Sequence, residues 1–243
     1  MDSPAYRASL DLCVSFTPAG HIRSNAATKS VENGLTCFER TVPLSTQQMA
    51  FAAFEKVKFD QLLIAMLTRK LLTSEWFQAE TLIYNRTTLD GVNVPAVEIV
   101  FSLNKNFRRE KHEWIYNEAS KVIALMTQWT SFPYPLAALK LFSAPIRASS
   151  HSALGLITLQ DRLVEHPSYT LAHVSLIHSV ILQWLSGIVS MSSADESCFT
   201  FTFSLAAGEI SLERVRPGTA LTVVYAWPES DCNKRRYDAS DFA

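Results

Sequence analysis

The chain has 243 residues, 48% of them hydrophobic and 19% charged, with 22 basic against 23 acidic side chains for a net charge of −1. So much apolar material with so little charge excludes an intrinsically disordered protein and supplies a core for one large domain. The charge balance also excludes wholesale neutralisation of duplex phosphates, which needs a strongly basic surface.

In chain order, Leu10 to Phe16 reads as a strand, with Leu10, Leu12, Val14 and Phe16 on one face and a stop at Pro18-Ala19-Gly20. Leu35 to Val42 is a second strand candidate between Asn33-Gly34 and Pro43. Ser45-Thr46-Gln47-Gln48 matches a capping box and predicts a helix running to about Leu72. Its apolar stripe (Met49, Phe51, Phe54, Val57, Leu62, Leu63, Met66, Leu67) is too broad for one exposed face. That helix is therefore either largely buried or broken near Phe59-Asp60. Gln78 to Tyr84 is a further strand. After the Asp90-Gly91 turn, Val94 to Leu103 alternates Val97, Ile99, Phe101 and Leu103 against Glu98 and Ser102.

Asn106 caps a predicted helix from Phe107 to Trp129. Ile115, Ala119, Val122, Met126 and Trp129 form its seam, and Arg108, Lys111, His112 and Lys121 lie off it. Phe132-Pro133-Tyr134-Pro135 ends the helix, and a less regular segment follows to about Glu165. From Pro167 through Ala194 the chain carries no Asp, Glu, Lys or Arg. Tyr169 to Ser190 reads as a helix with Ser175, His178, Ser179, Gln183, Ser186 and Ser190 gathered on one side. Its length approaches that of a membrane span, but two histidines, a glutamine and a serine row find no partners in lipid. The expectation is a central core helix with no membrane span, whose serine row lets a neighbour approach closely while the hydroxyls bond back to carbonyls four residues earlier. Phe199 to Leu205, Ile210 to Val215 and Leu221 to Trp227 then read as strands, the last two joined through Pro217-Gly218, before a polar, frayed tail from about Pro228.

These elements predict one α+β domain spanning residues 1–243. Mainly antiparallel strands from both ends of the chain pack on three or more helices, with the uncharged helix near 169–190 buried among them.

Motifs for chemistry are scarce. The seven glycines compose neither of the Gly-rich phosphate loops nor a nucleophile elbow, so no cofactor is expected. Cys13, Cys37, Cys198 and Cys232 are far apart and include no C-x-x-C pair. With no apolar signal region after Met1, the expectation is free buried thiols in a cytoplasmic protein. On that footing Asn85-Arg86-Thr87, a match to the glycosylation sequon, reads as a chance occurrence. H-E-x-x-H is absent, and His173 and His178 diverge on their helix, so no metal site is expected and His173 reads as a core histidine bonded to a carbonyl.

Three functions compete. The first is a non-enzymatic interaction or self-assembly protein of coat, matrix or scaffold type, with Trp76, Phe77, Phe132 and Tyr134 as interface aromatics. In the second, Lys105, Arg108, Arg109, Lys111 and His112 crowd a helix start, where positive side chains oppose the helix dipole unless an anion docks. Phe107 and Trp114 nearby suit single-stranded nucleic acid, RNA included. The third is an enzyme whose site assembles from His151, His166, His178, Asp161 and Glu196. The first is preferred, because catalytic signatures are missing while apolar and aromatic residues are plentiful.

Overall fold

The computed structural model describes residues 6–15, 21–54, 79–102 and 112–189. The predicted strands between Phe199 and Trp227, the polar tail, Cys198, Cys232 and Glu196 lie outside those residues.

Twelve strands are described: β1 (Cys13–Ser15), β2 (His21–Ser24), β3 (Thr28–Glu32), β4 (Leu35–Phe38), β5 (Phe51–Phe54), β6 (Ala79–Tyr84), β7 (Thr87–Leu89), β8 (Val92–Val94), β9 (Ala96–Ser102), β10 (Ala138–Ala144), β11 (Ser150–Ala153) and β12 (Leu156–Gln160). The described helices are α1 (Glu113–Thr130), α2 (Asp161–Glu165) and α3 (Thr170–Leu182), which continues as a π-helical turn over Gln183–Ile188. The fold is α+β, with one buried apolar helix packed on its sheets.

A five-stranded sheet of order β11-β12-β10-β9-β6 organises the molecule. Its three central strands run parallel and both edge strands antiparallel. Because β9 and β10 are parallel, the chain must cross over between them, and α1 makes that crossing. The other pairings, β1-β4-β3, β2-β5 and β7-β8, are all antiparallel. Two of the hairpins close through Asn33-Gly34 and Asp90-Gly91. In each turn both residues have positive φ, 50° then 78°, the twist that a two-residue hairpin needs.

Alternation along β9 sorts the two faces of the sheet. Val97, Ile99 and Phe101 join Leu139, Leu141, Ile157 and Leu159 beneath α1 and α3, where Ile115, Val122, Ile123, Met126, Leu176, Ile177, Val180 and Trp184 complete the core. On the reverse face Val100, Phe142 and Ala144 pack against Ala52. There Glu98 and Lys140 stand opposite one another in register, and Arg23 from β2 bonds Glu98 at 2.5 Å. Lys140 donates to the carbonyls of Ser24 and Ala26 at 2.5 and 2.6 Å, tying β2 and its following turn to the central strand.

Four expectations need correction. Where the start of a long helix was expected after Ser45, the chain makes a 3-10 turn (Thr46–Gln48) and then strand β5; the rest of that predicted helix falls in residues 55–78, outside the described set. Ser45 makes no capping bond, and the Gln48 side chain, buried with it, bonds the backbone N–H of Leu154 at 2.7 Å. A tertiary partner has overridden the local capping preference. The segment taken as irregular, 136–165, contains β10, β11, β12 and α2. A parallel strand buried on both faces shows no polar alternation and so escapes a period-two search. Trp129, placed on the seam of α1, is 44% exposed at the helix end. Finally, Cys13 and Cys37 are not free thiols: they stand opposite each other on β1 and β4 and form a disulfide.

Candidate functional site: the polar seam of the central helix

By length and hydropathy, Thr170–Ile188 could cross a membrane, yet 67% of its most apolar window is buried inside the protein. It packs on α1, on β11 and β12, and on α2. Its apolar side faces the core, and its polar side faces the β11–β12 hairpin. Gly187 permits that approach, since a Cβ there would lie 2.9 Å from the Leu154 side chain at the hairpin tip.

Gln183 lies at the centre of the seam and is wholly buried. Its carbonyl oxygen accepts from the Gly155 backbone N–H at 2.7 Å and from the Tyr134 hydroxyl at 3.2 Å. Its amide donates to Ser152 Oγ at 2.8 Å and to the Ala153 carbonyl at 3.0 Å. All the hydrogen-bonding capacity of one glutamine amide is thereby directed at the hairpin and Tyr134. Ser152 Oγ in turn donates to the Ser179 carbonyl at 2.9 Å. Ser179 and Ser186 donate back to the carbonyls of Ser175 and Leu182, each four residues earlier, as expected for close packing. Ser175 Oγ is buried and has no hydrogen-bond partner among the described residues.

A second layer reaches the N-terminal strands. Gln48 donates to Ser186 Oγ at 3.0 Å. Asn25 donates to the carbonyls of Gln48 and Leu154 at 2.8 and 2.6 Å and accepts from the Ala50 N–H. Helix, hairpin and N-terminal strands thus share one hydrogen-bonded network. Sequence reasoning placed Ser175, Ser179, Gln183 and Ser186 on one side but missed Asn25, Gln48 and Tyr134, whose partners lie at least 49 residues away in sequence except within the Asn25–Gln48–Ala50 turn contacts.

The titratable groups are similarly committed. His173 bonds Glu118 through Nδ1 at 2.8 Å and the Pro167 carbonyl through Nε2 at 2.5 Å, both in the interior. A carbonyl can only accept, so Nε2 carries the proton on that side, and the Trp114 ring packs edge-on against the imidazole. Burial pushes His178 down to about 4, so its imidazole is neutral at physiological pH. Burial also lowers Lys140 to about 8, against the pull of Glu98 and with the push of Arg23, and raises the Tyr134 hydroxyl beyond its ordinary range. Lys140 borders a cavity of about 180 Å³ that Leu44, Leu136 and Leu154 also line.

A helix-borne zinc peptidase site requires His at i and i+4 with Glu at i+1. Counting from His173, those places hold Val174 and Ile177; counting from His178, they hold Ser179 and Leu182. Among the described residues no three His, Cys, Asp or Glu side chains converge as metal ligands would.

The predicted sites separate as follows. Lys105, Arg108, Arg109, Lys111, Trp76 and Phe77 lie outside the described residues. His112 is buried, its ring 4.4 Å from that of Phe101, and does not present itself to an anion at the surface. Tyr134 is a core residue packed on Trp184, which removes it from the interface aromatics. Phe132 is 47% exposed. Of the dispersed catalytic candidates, His151 and His166 are exposed, His166 beside the Tyr169 ring, while Asp161 accepts from Ser143 at 2.5 Å.

No family model matches this chain. Over 196 residues, 79% of its length, the chain is 37% identical to a protein of Caenorhabditis elegans named matrix non-peptidase homolog 1. It spans 22% of the length of that relative.

Proposed function

We propose that this chain is a non-catalytic structural module that works through protein contacts in a matrix-type assembly, self-association included, within an oxidising compartment. The observation that carries this reading is the occupied state of the central seam. A catalytic cleft keeps polar groups poised toward a substrate. Here the Gln183 amide, Ser152, Ser179 and Ser186 all bond inward to hairpin or helix. Among the described residues neither helix histidine has the companions that would make it a metal ligand of a peptidase. The Caenorhabditis elegans relative is named as a matrix non-peptidase homolog, which agrees with that chemistry. The Cys13–Cys37 disulfide supports the compartment, because such bonds persist where thiols are not kept reduced. It argues against the cytoplasmic setting expected from the lack of an apolar signal region after Met1. Exposed Trp129 and Phe132, three residues apart in sequence where α1 ends, offer aromatic anchors of the kind that partner surfaces use.

The test has two arms on the purified full chain. Incubation with a peptide library, with and without added zinc, is expected to give no cleavage; turnover that follows the protein through purification would remove the non-catalytic reading. Light scattering across a concentration series is expected to show a mass that rises above the monomer. A monomer at every concentration would remove self-association.

A further inference from the structure

We propose that Asn85 carries an N-linked glycan. Asn85-Arg86-Thr87 has the acceptor pattern, with a non-proline residue between asparagine and threonine. The fold presents it suitably: Asn85 and Arg86 form the short connection from β6 to β7, and Asn85, Arg86 and Thr87 are all exposed. The inference rests on the oxidising compartment proposed above, because disulfide formation and glycan transfer are reactions of the same secretory route.

The reaction balances with a lipid-linked oligosaccharide diphosphate as donor. The Asn85 side-chain nitrogen forms a bond to the anomeric carbon of the first sugar, and the bond from that carbon to the phosphate oxygen breaks. The electron pair leaves with the lipid diphosphate, and one amide proton passes to a base. The Thr87 hydroxyl is the second recognition element.

The position also suits the sheet. β6 is the last strand of the five-stranded order, and among the described residues no strand pairs with its outer side. Ile83, two residues before Asn85, is 63% exposed. Open edges invite pairing with other chains, and a bulky hydrophilic group beside one blocks that approach.

The experiment isolates the full chain from the cells that make it and maps Asn85 and the four cysteines by peptide mass spectrometry, with and without peptide N-glycosidase. The expected result is a sugar-bearing peptide that the enzyme converts to one with Asp at position 85. Thr87→Ala and Asn85→Gln should each abolish the sugar, whereas Thr87→Ser should keep it, so that loss of the glycan is not mistaken for loss of the fold. An unmodified Asn85 in a chain whose Cys13 and Cys37 are bonded would overturn the glycan and leave the compartment standing. An unmodified Asn85 in a chain with free Cys13 and Cys37 would overturn both.

Discussion

Replacing Gln183 with leucine tests whether the polar seam holds the hairpin to the central helix. Leucine is close to glutamine in size and removes every hydrogen bond of the amide at once. The Gly155 N–H and the Tyr134 hydroxyl, both buried, lose the acceptor they share 2.7 and 3.2 Å away. Ser152 Oγ retains its bond to Ser179, so its loss is smaller. Two buried groups left unsatisfied cost roughly 1–3 kcal/mol each, which puts Gln183→Leu at about 2–6 kcal/mol. Urea unfolding followed by circular dichroism and by tryptophan fluorescence reads the change, and Trp184, one of five tryptophans, lies beside the substituted residue. Tyr134→Phe combined with Gln183→Leu should cost less than the sum of the two, since the phenylalanine leaves no hydroxyl to orphan, with a coupling on the order of 1 kcal/mol. A Gln183→Leu protein within about 0.5 kcal/mol of the parent, the range of ordinary surface substitutions, would refute the assignment of the seam as the joint.

Removing the disulfide by Cys13→Ser with Cys37→Ser should lower stability by about 3.5 kcal/mol, the loop-entropy value for cysteines 24 residues apart, measured as a shift of the urea midpoint; dithiothreitol should lower the parent midpoint by more than that of the variant. Gly155→Ala should cost about 2–4 kcal/mol in thermal unfolding. Its φ is +84°, and a Cβ would stand 2.6 Å from the Leu136 side chain and 2.9 Å from the Asn25 carbonyl oxygen. Acidification should destabilise the protein between about pH 6.5 and 4. In that window an unfolded His178 binds a proton and the buried one, lowered to about 4, does not, so stability rises with pH there. His178→Gln should flatten this part of the stability profile measured by urea unfolding at stepped pH.

What was legible in the sequence followed from local rules that the fold leaves in force. The two positive-φ hairpins were announced by Asn33-Gly34 and Asp90-Gly91, and the inward side of β9 by Val97, Ile99 and Phe101. The seam of α1 was read correctly at Ile115, Ala119, Val122 and Met126, and the break after it is marked by Ser131 in the left-handed region. His173 does bond a carbonyl, that of Pro167, though its second partner, Glu118, comes from another helix and has no local signature. Elsewhere distance in sequence defeated local reading. Gln48 looked like half of a capping box because Ser45 precedes it by three residues; its partners are Leu154 and Ser186, brought there by the fold. Cysteine pairing is a question of which residues meet, and only the register of β1 on β4 answers it.

The absence of charge from Pro167 to Ala194 now has a physical reason over the stretch the structure describes. α3 and its π-turn have protein on nearly every side: α1, the hairpin and α2 directly, and the N-terminal strands through Gln48. An unpaired charge at Gln183 or Ser179 would be stripped of water with no opposite charge to meet it. Neutral amides and hydroxyls avoid that penalty while still satisfying the backbone groups that a hairpin turn exposes, here the N–H groups of Leu154 and Gly155. A catalytic helix faces the opposite demand, because it must hold ionised or metal-binding groups toward a space that substrate and water can enter. One surface cannot meet both demands. With a hairpin bonded across the polar side of α3, the proposed protein contacts are left to the periphery, where Phe132 and Trp129 are exposed.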